Sequence, residues 1–315
     1  MTRPVSIVIP CLDDRDLLKS NLPALLAELE VRDEKDEVII VDDTGEQVLA
    51  NWVKAEFPSC RVVSQKKNLG FARALLAGIK TATYDLVFCM NPDVRVRKGF
   101  LGPLVACMAD EDIFAVAPRV LLDGTDRVES ITELKVNGGF VEIIQPGLRA
   151  EQEQQSALPR PIVFAVGGTC LISKSAFLEM GGMDPMYEPF YLEDLDICFR
   201  AWLKGQRVLY QPASVVEHHH RGTIGKIVEP EFVRAMIEKN RLLFQWTFLD
   251  EPVLLQEHVG ALYRMATDAW LSDSRDELIW ILLALDQLKA VLKARKATGK
   301  PALGFTDVLK ASTAS

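Results

Sequence analysis

Three carboxylates crowd into four residues at Glu193, Asp194 and Asp196, within the run Tyr191-Leu192-Glu193-Asp194-Leu195-Asp196-Ile197-Cys198-Phe199-Arg200. A carboxylate held at a helix mouth can act as a general base toward a hydroxyl. Leu195, Cys198, Phe199, Trp202 and Leu203 recur at helical spacing and predict one buried stripe, with Lys204 and Gly205 ending the helix. Glu193 and Asp194 then stand at the helix start, off that stripe. Acids in a first turn also favour the helix dipole by about 0.3–1 kcal/mol. The segment alone therefore leaves two readings open, a catalytic base or a favourable helix start.

A second cluster is Val215-Val216-Glu217-His218-His219-His220-Arg221, which holds three of the four histidines of the chain. In extended chain, His218 and His220 share one side and His219 takes the other. Asp93 with one such imidazole suits Mn²⁺ or Mg²⁺, with water and phosphate oxygens completing the shell. Zinc is the competing metal, without a thiolate cluster to support it, and a solvated histidine run is the alternative to any metal. Asp93 ends the segment Asn91-Pro92-Asp93, directly after the apolar run Leu86 to Met90. Two other apolar runs end in polar or turn residues, Pro10-Cys11 and Asp42-Asp43-Thr44. Each acid there could serve only as a turn or helix cap. Ligands of open α/β sheets nevertheless bind beyond the carboxyl ends of the strands, where these residues converge.

The elements that must position them are legible as alternating runs. Val5 to Pro10, Val38 to Val41, Arg61 to Ser64 and Leu86 to Met90 read as strands. The stretches Leu17 to Leu29, Val48 to Glu56 and Phe71 to Thr81 read as helices between them, with Pro23 expected to kink or divide the first. Apolar strands alternating with helices predict a doubly wound, mostly parallel α/β sheet covered on both faces. Thr132 to Gln145 alternates like a strand, Glu151 to Pro161 reads as a mobile loop, and Ile162 to Ile172 returns to the core around Gly167-Gly168. From Glu229 onward the pattern is amphipathic helix anchored by Trp246, Leu249, Trp270, Trp280 and Leu283, with the last dozen residues frayed. The expected organisation is an α/β domain over 1–228 and a C-terminal helical extension over 229–315.

Size, 315 residues, suits one large domain with an appendage, and 49% hydrophobic with 25% charged residues is the balance of a globular enzyme. A net charge of −8 argues against nucleic acid as a partner. No apolar stretch reaches the length of a membrane span. A strand-like run begins within five residues of the start, leaving no room for a signal peptide, and six cysteines without a C-x-x-C pair suggest reduced core thiols. The expected location is cytoplasmic, extending to a peripheral place at the inner face of the membrane. No G-x-G-x-x-G, P-loop or G-x-S-x-G pattern occurs, which weakens dinucleotide, ATPase and serine-hydrolase readings.

Taken in order, Pro4 to Pro10, Val38 to Asp43, Asn68-Leu69-Gly70-Phe71-Ala72, Asn91-Pro92-Asp93, Gly167-Gly168-Thr169, Gly181-Gly182-Met183-Asp184, Glu193-Asp194-Leu195-Asp196 and the His218 segment resemble family 2 glycosyltransferases over roughly Arg3 to Gly225. The likeness is to the bacterial rhamnosyltransferase branch. It implies a GT-A fold, a nucleotide-diphospho-sugar donor (dTDP-L-rhamnose, with UDP-sugars as the alternative), a divalent cation and inversion at the anomeric carbon. It places the nucleotide-sugar on Pro10, Cys11, Asp42, Asp43, Asn68, Gly70, Arg73, Asn91, Asp93 and Gly168. The metal falls on Asp93 with His218 and His220, and the base on Asp194, with Glu193 and Asp196 orienting the base or the acceptor. The family's D-x-D motif stands here as Asn91-x-Asp93. Two departures concern donor contact: Cys11 follows Pro10 where a polar or aromatic residue is usual, and Leu76 replaces an asparagine. The Q-x-x-R-W signature of processive synthases is missing, so a single addition to a glycan, glycolipid or small-molecule acceptor is implied. Arg73, Arg95 and Lys66 are candidate phosphate contacts. The competing classes are an inactive sugar-nucleotide-binding or scaffold protein and a nucleotidyltransferase, and the C-terminal helices offer a face for homo-oligomerisation.

Overall fold

The computed structural model describes residues 3–32, 34–122, 124–146, 158–219, 228–272 and 276–313. Strands β1 (Ser6–Cys11), β2 (Glu37–Asp42), β3 (Arg61–Ser64) and β4 (Leu86–Met90) pair in the order β3-β2-β1-β4, all parallel. Their connections are α1 (Arg15–Arg32), α2 (Val48–Glu56) and α3 (Phe71–Thr81), so the alternation in the sequence is a doubly wound half. Helix α1 runs through Pro23 undivided, its buried Leu18, Leu22, Leu25 and Leu29 fixing both halves against the sheet.

Beyond β4 the chain makes β5 (Val94–Val96), α4 (Leu101–Cys107), β6 (Ile113–Leu122), β7 (Glu133–Asn137), β8 (Phe140–Ile144), β9 (Arg160–Pro161) and β10 (Thr169–Ser173). The strand-like stretch after Thr132 is thus a hairpin, with both glycines of the Gly138-Gly139 turn at positive φ as a tight hairpin requires. The expected loop Glu151 to Pro161 lies largely outside the described residues, and its end forms β9 against the twelve-residue β11 (Arg207–His218). Strand β10 enters antiparallel between β4 and β6, and β11 continues the sheet parallel to β6 and antiparallel to β5. This inserted antiparallel strand carries Gly167-Gly168 to the end of β4.

Alternate residues of the central strands feed two cores. Ile7, Ile9 and Ile40 pack with α1, α2 and α4 on one face, while Val8, Ile39 and Val41 pack with α3 on the other. Helix α3 lies so close to the sheet that a Cβ on Gly78 would come within 2.3 Å of Val8 and 2.8 Å of Val41.

That second core is shared with α5 (Lys174–Glu179), α6 (Glu193–Leu203) and the C-terminal helices α7 (Pro230–Phe248), α8 (Pro252–Leu271), α9 (Asp276–Asp286), α10 (Leu288–Thr298) and α11 (Phe305–Ala311). Phe199 of α6 meets Phe244, Phe248 and Phe305 at centroid distances of 5.1, 5.0 and 5.4 Å. Helix α6 is also buried on more than the single stripe its periodicity suggests, since Ile197 and Ala201 are buried too. The final dozen residues are not frayed over α11, where Phe305 and Val308 are fully buried. Among the expected anchors, Trp246 and Trp280 pack on the core, whereas Trp270 is 74% and Leu283 38% exposed. Among the described residues no helix is long and apolar enough to cross a membrane.

Candidate active site

Tyr191 and Leu192, at φ 71° and 72°, are both left-handed, a sparsely populated conformation for side chains of this size. They turn the chain abruptly into α6, so that Glu193 and Asp194 occupy its first turn. Asp194 accepts hydrogen bonds from the amides of Leu195 (2.8 Å) and Gly167 (3.2 Å). Burial pushes its carboxyl upward, and the amides of Gly167, Leu195 and Asp194 itself hold it back. Glu193 has less help, from its own amide alone. Its Oε2 is buried without a hydrogen-bond partner, and burial together with the charge of Asp194 pushes its carboxyl up to about 8. Burial raises both neighbouring carboxyls, and Asp194, with an amide on each oxygen, is the better held anion.

Asp196 is turned elsewhere. It accepts from the Tyr187 hydroxyl (3.2 Å) and from Arg200 Nε (2.8 Å), while Arg200 also donates to the carbonyls of Met180 (2.6 Å) and Gly182 (2.7 Å). The structure thus places Asp196 in the core, bracing the Gly181-Gly182 turn, and leaves Glu193 and Asp194 as the pair at the helix mouth.

The Gly167-Gly168 step joins this pair to the end of β4. The amide of Gly167 binds Asp194, and the carbonyl of its neighbour Gly168 accepts from the amide of Asn91 at 2.7 Å. A Cβ on Gly168 would fall 2.3 Å from the Asn91 side chain and displace it, whereas one on Gly167 would sit in close contact, 3.4 Å from Cβ of Asp194. Asn91 and Asp194 are thereby brought to opposite sides of two consecutive residues.

Asp93 follows, its buried Oδ1 paired, among the described residues, only with His218 Nε2, at a long 3.4 Å. The other ring nitrogen of His218 lies 3.3 Å from Glu129. Burial lowers the basicity of His218, but hydrogen bonding and charge from Asp93 and Glu129 outweigh it and push its pKa up to about 9. His219 extends the contact through its amide, which donates to the carbonyl of Asp93 at 3.0 Å, and His220 lies outside the described residues. As a test of fit, a buried carboxylate oxygen and a facing imidazole are two of the donors a hard divalent cation takes. Among the described residues no three such side chains are placed to hold a metal ion together, so substrate oxygens and water would have to complete a shell. Glu129 and Asp14 escaped sequence reasoning. Asp14 holds the turn after β1 by accepting from the amide of Leu12 (2.8 Å), and its carboxyl is raised by burial and by Asp93. Only its place after a strand end could have flagged it.

The remaining expected donor residues line the same sheet edge, and most are engaged. Asp42 accepts from Thr44 N (3.0 Å), Thr44 Oγ1 (2.6 Å) and Ala50 N (3.0 Å), which anchors α2. Asp43 accepts from the amides of Leu69 and Gly70, both at 2.9 Å, and Asn68 caps the same Gly70 amide. Pro10 and Cys11 lie inside β1, where burial raises the Cys11 thiol. Arg73 pairs with Glu188 through both of its carboxylate oxygens, and Arg95 and Lys66 are exposed.

The family model for Glycosyl transferase family 2 matches residues 6–181, more than half of the chain. The chain belongs to glycosyl transferase family 2. The match stops short of the Glu193-Asp194 pair, so the geometry carries the argument for those residues. Over 198 residues the chain is 27% identical to a probable N-acetylgalactosaminyltransferase 9 of Caenorhabditis elegans, covering 59% of this chain and 34% of that protein. Over 221 residues it is 28% identical to the pre-mycofactocin glycosyltransferase of Mycobacterium tuberculosis, covering 70% and 43%. Among solved structures it resembles GalNAc-T7 with UDP, GalNAc and Mn²⁺, at a TM-score of 0.62 and 18% identity, covering 79% of this chain and 48% of that one. The chain spans less than half the length of each of these proteins. The fold is the expected GT-A type, with helices added at the C-terminal end.

Proposed function

We propose that this chain transfers a sugar from a nucleotide-diphospho-sugar to a hydroxyl of a glycan, glycolipid or small-molecule acceptor in single additions, with inversion. The observation that carries the reading is the Gly167-Gly168 step, which sets the Asp194 carboxylate beside the Asn91-Pro92-Asp93 end of β4. The nucleoside lies along the β1 and β2 ends, walled by Pro10, Cys11, Asp42 and Asp43, with Asn68, Gly70 and Arg73 at the diphosphate side. Asp194, ionised at the helix mouth, takes the proton of the acceptor hydroxyl as it attacks in line. Glu193, protonated beside it, donates a hydrogen bond to acceptor or sugar and adds no second charge. Asp93 and His218 would hold Mn²⁺ or Mg²⁺, whose charge neutralises the diphosphate leaving group. Retention of both carboxylates in a water-poor setting favours an enzyme over an inactive binding protein.

For the donor, the Asn91-Pro92-Asp93 likeness supports dTDP-L-rhamnose. A second reading, a UDP-sugar, is favoured by the UDP and Mn²⁺ named for GalNAc-T7. Calorimetry with dTDP and UDP, each with and without Mn²⁺, separates them. The rhamnosyl reading requires dTDP to bind more tightly, and tighter UDP binding replaces it. Asp93→Ala should remove the Mn²⁺-dependent part of the affinity while the protein stays folded. Unchanged Mn²⁺ dependence in that variant would remove Asp93 from the metal site.

A further inference from the structure

The left-handed corner that aims the carboxylate pair is held from outside the sheet domain. Asn240 of α7 is fully buried, and its Nδ2 donates to the carbonyls of Tyr187 (2.8 Å), Phe190 (2.9 Å) and Tyr191 (2.8 Å). Its neighbour Lys239, 2% exposed, donates to the carbonyl of Glu188 at 3.1 Å. Two consecutive residues of one helix therefore take four carbonyls of the segment 187–191. The amide orientation of Asn240 is forced, because the reverse would set its Oδ1 against three carbonyl oxygens. Conformations as sparsely populated as those of Tyr191 and Leu192 persist only where their surroundings over-determine them. Here the over-determining group is one side-chain amide. Leu192 in turn supplies the first helical acceptor, its carbonyl receiving the amide of Asp196 at 2.9 Å.

We infer that Asn240 is a positioning residue for the reaction: it fixes the Tyr191-Leu192 corner and through it the placement of Glu193 and Asp194. The C-terminal helices are then part of the reaction machinery, although they touch neither the β1 and β2 ends nor Asp93 in any contact described above. This rests on the reading of Asp194 as the base. A misplacement of about 1 Å costs on the order of a hundredfold in rate even when it originates far from the chemistry.

The test uses the full chain carrying Asn240→Asp, which keeps the shape but faces three carbonyls with an acceptor. In a protein that still unfolds cooperatively, amide hydrogen exchange over 191–196 should quicken. kcat should fall about a hundredfold, with Mn²⁺-dependent affinity for dTDP or UDP unchanged, and the acid limb of the pH–rate profile should move. Wild-type exchange and kcat in the folded variant would overturn the inference. So would a nucleotide affinity that fell in step with kcat, which marks general loss of structure. If Asn240→Asp does not fold, Asn240→Ser, neutral but too short to span three carbonyls, faces the same criteria. Asp194→Asn, run alongside, should lose turnover and keep wild-type exchange over 191–196 except at Leu195, whose amide Asp194 holds directly. Should it keep turnover, the base assignment fails, while the exchange data still decide whether Asn240 holds the corner.

Discussion

Asp42-Asp43 at the end of β2 and Glu193-Asp194 at the start of α6 are both adjacent, poorly exposed acidic pairs, and the protein puts them to opposite uses. At β2 every carboxylate oxygen accepts a hydrogen bond, and the donors are backbone amides of α2 and the Leu69-Gly70 turn or the Thr44 side chain. At α6 Glu193 keeps a buried oxygen without a partner, and Asp194 is desolvated against Gly167 and the core. The first pair spends its charge on holding loops in place. In the second both Asp194 oxygens also accept an amide, but Glu193 retains a buried oxygen with unmet hydrogen-bonding demand, which is what a group that must accept or give a proton needs. Residue type and adjacency do not separate the two pairs, whereas the accounting of lone pairs does.

The sharpest way to break this contrast is Asp194→Asn, which keeps size and most hydrogen bonding and removes basicity. Turnover should fall by about a hundred- to ten-thousand-fold, with nucleotide and Mn²⁺ binding retained, as steady-state kinetics and calorimetry on one preparation would show. Near-normal turnover would place the base elsewhere.

The next largest effect is on stability against pH. The Glu193 carboxyl sits at about 8 in the folded protein against 4.5 ordinarily. A group raised on folding contributes stability that is fully present below its unfolded value and lost as pH rises through the folded one. Wild-type protein should therefore lose stability between about pH 4.5 and 8, by up to about 1.4 kcal/mol per pH unit from this group. Glu193→Gln should remove that part of the slope in denaturant titrations across the range. An identical slope in both proteins would show that Glu193 ionises freely, and the two acidic pairs would then differ less than their surroundings suggest.

What the sequence made legible follows from how local each signal is. The strands of the parallel half are continuous β-branched runs, and helices α2 and α3 carry their own periodicity, so their bounds were readable directly. The helix after Tyr191 is legible as one stripe, but the pairing of Asp196 with Tyr187 and Arg200 is not, because Tyr187 and the Met180 and Gly182 carbonyls that Arg200 takes lie outside the helix. Glu129 and Asn240 lay beyond reach for the same reason. Glu129 meets His218 across 89 residues and Asn240 meets Tyr191 across 49, and neither belongs to a motif. Pro23 misled in the opposite direction, since a local breaking preference was overridden by four buried leucines.

The smallest expected effect tests the other half of the contrast. Asp43 accepts from Leu69 N and Gly70 N, one with each oxygen. In Asp43→Asn one of those amides must face an NH₂ group; turned to Gly70, whose amide keeps Asn68 Oδ1, the change should cost about 1 kcal/mol, the low end for a lost hydrogen bond. Burial raises the Asp43 carboxyl while the same two amides lower it, so the turn depends on its charge. The variant should lose that much in denaturant unfolding and retain the acid limb of its pH–rate profile. Nucleotide affinity should weaken only as far as the Asn68-Leu69-Gly70 turn loosens, by less than turnover falls in Asp194→Asn. A variant of unchanged stability that lost nucleotide binding outright would show instead that Asp43 reaches the nucleoside itself. The two acidic pairs would then divide the donor and acceptor ends between them, with neither serving as scaffold.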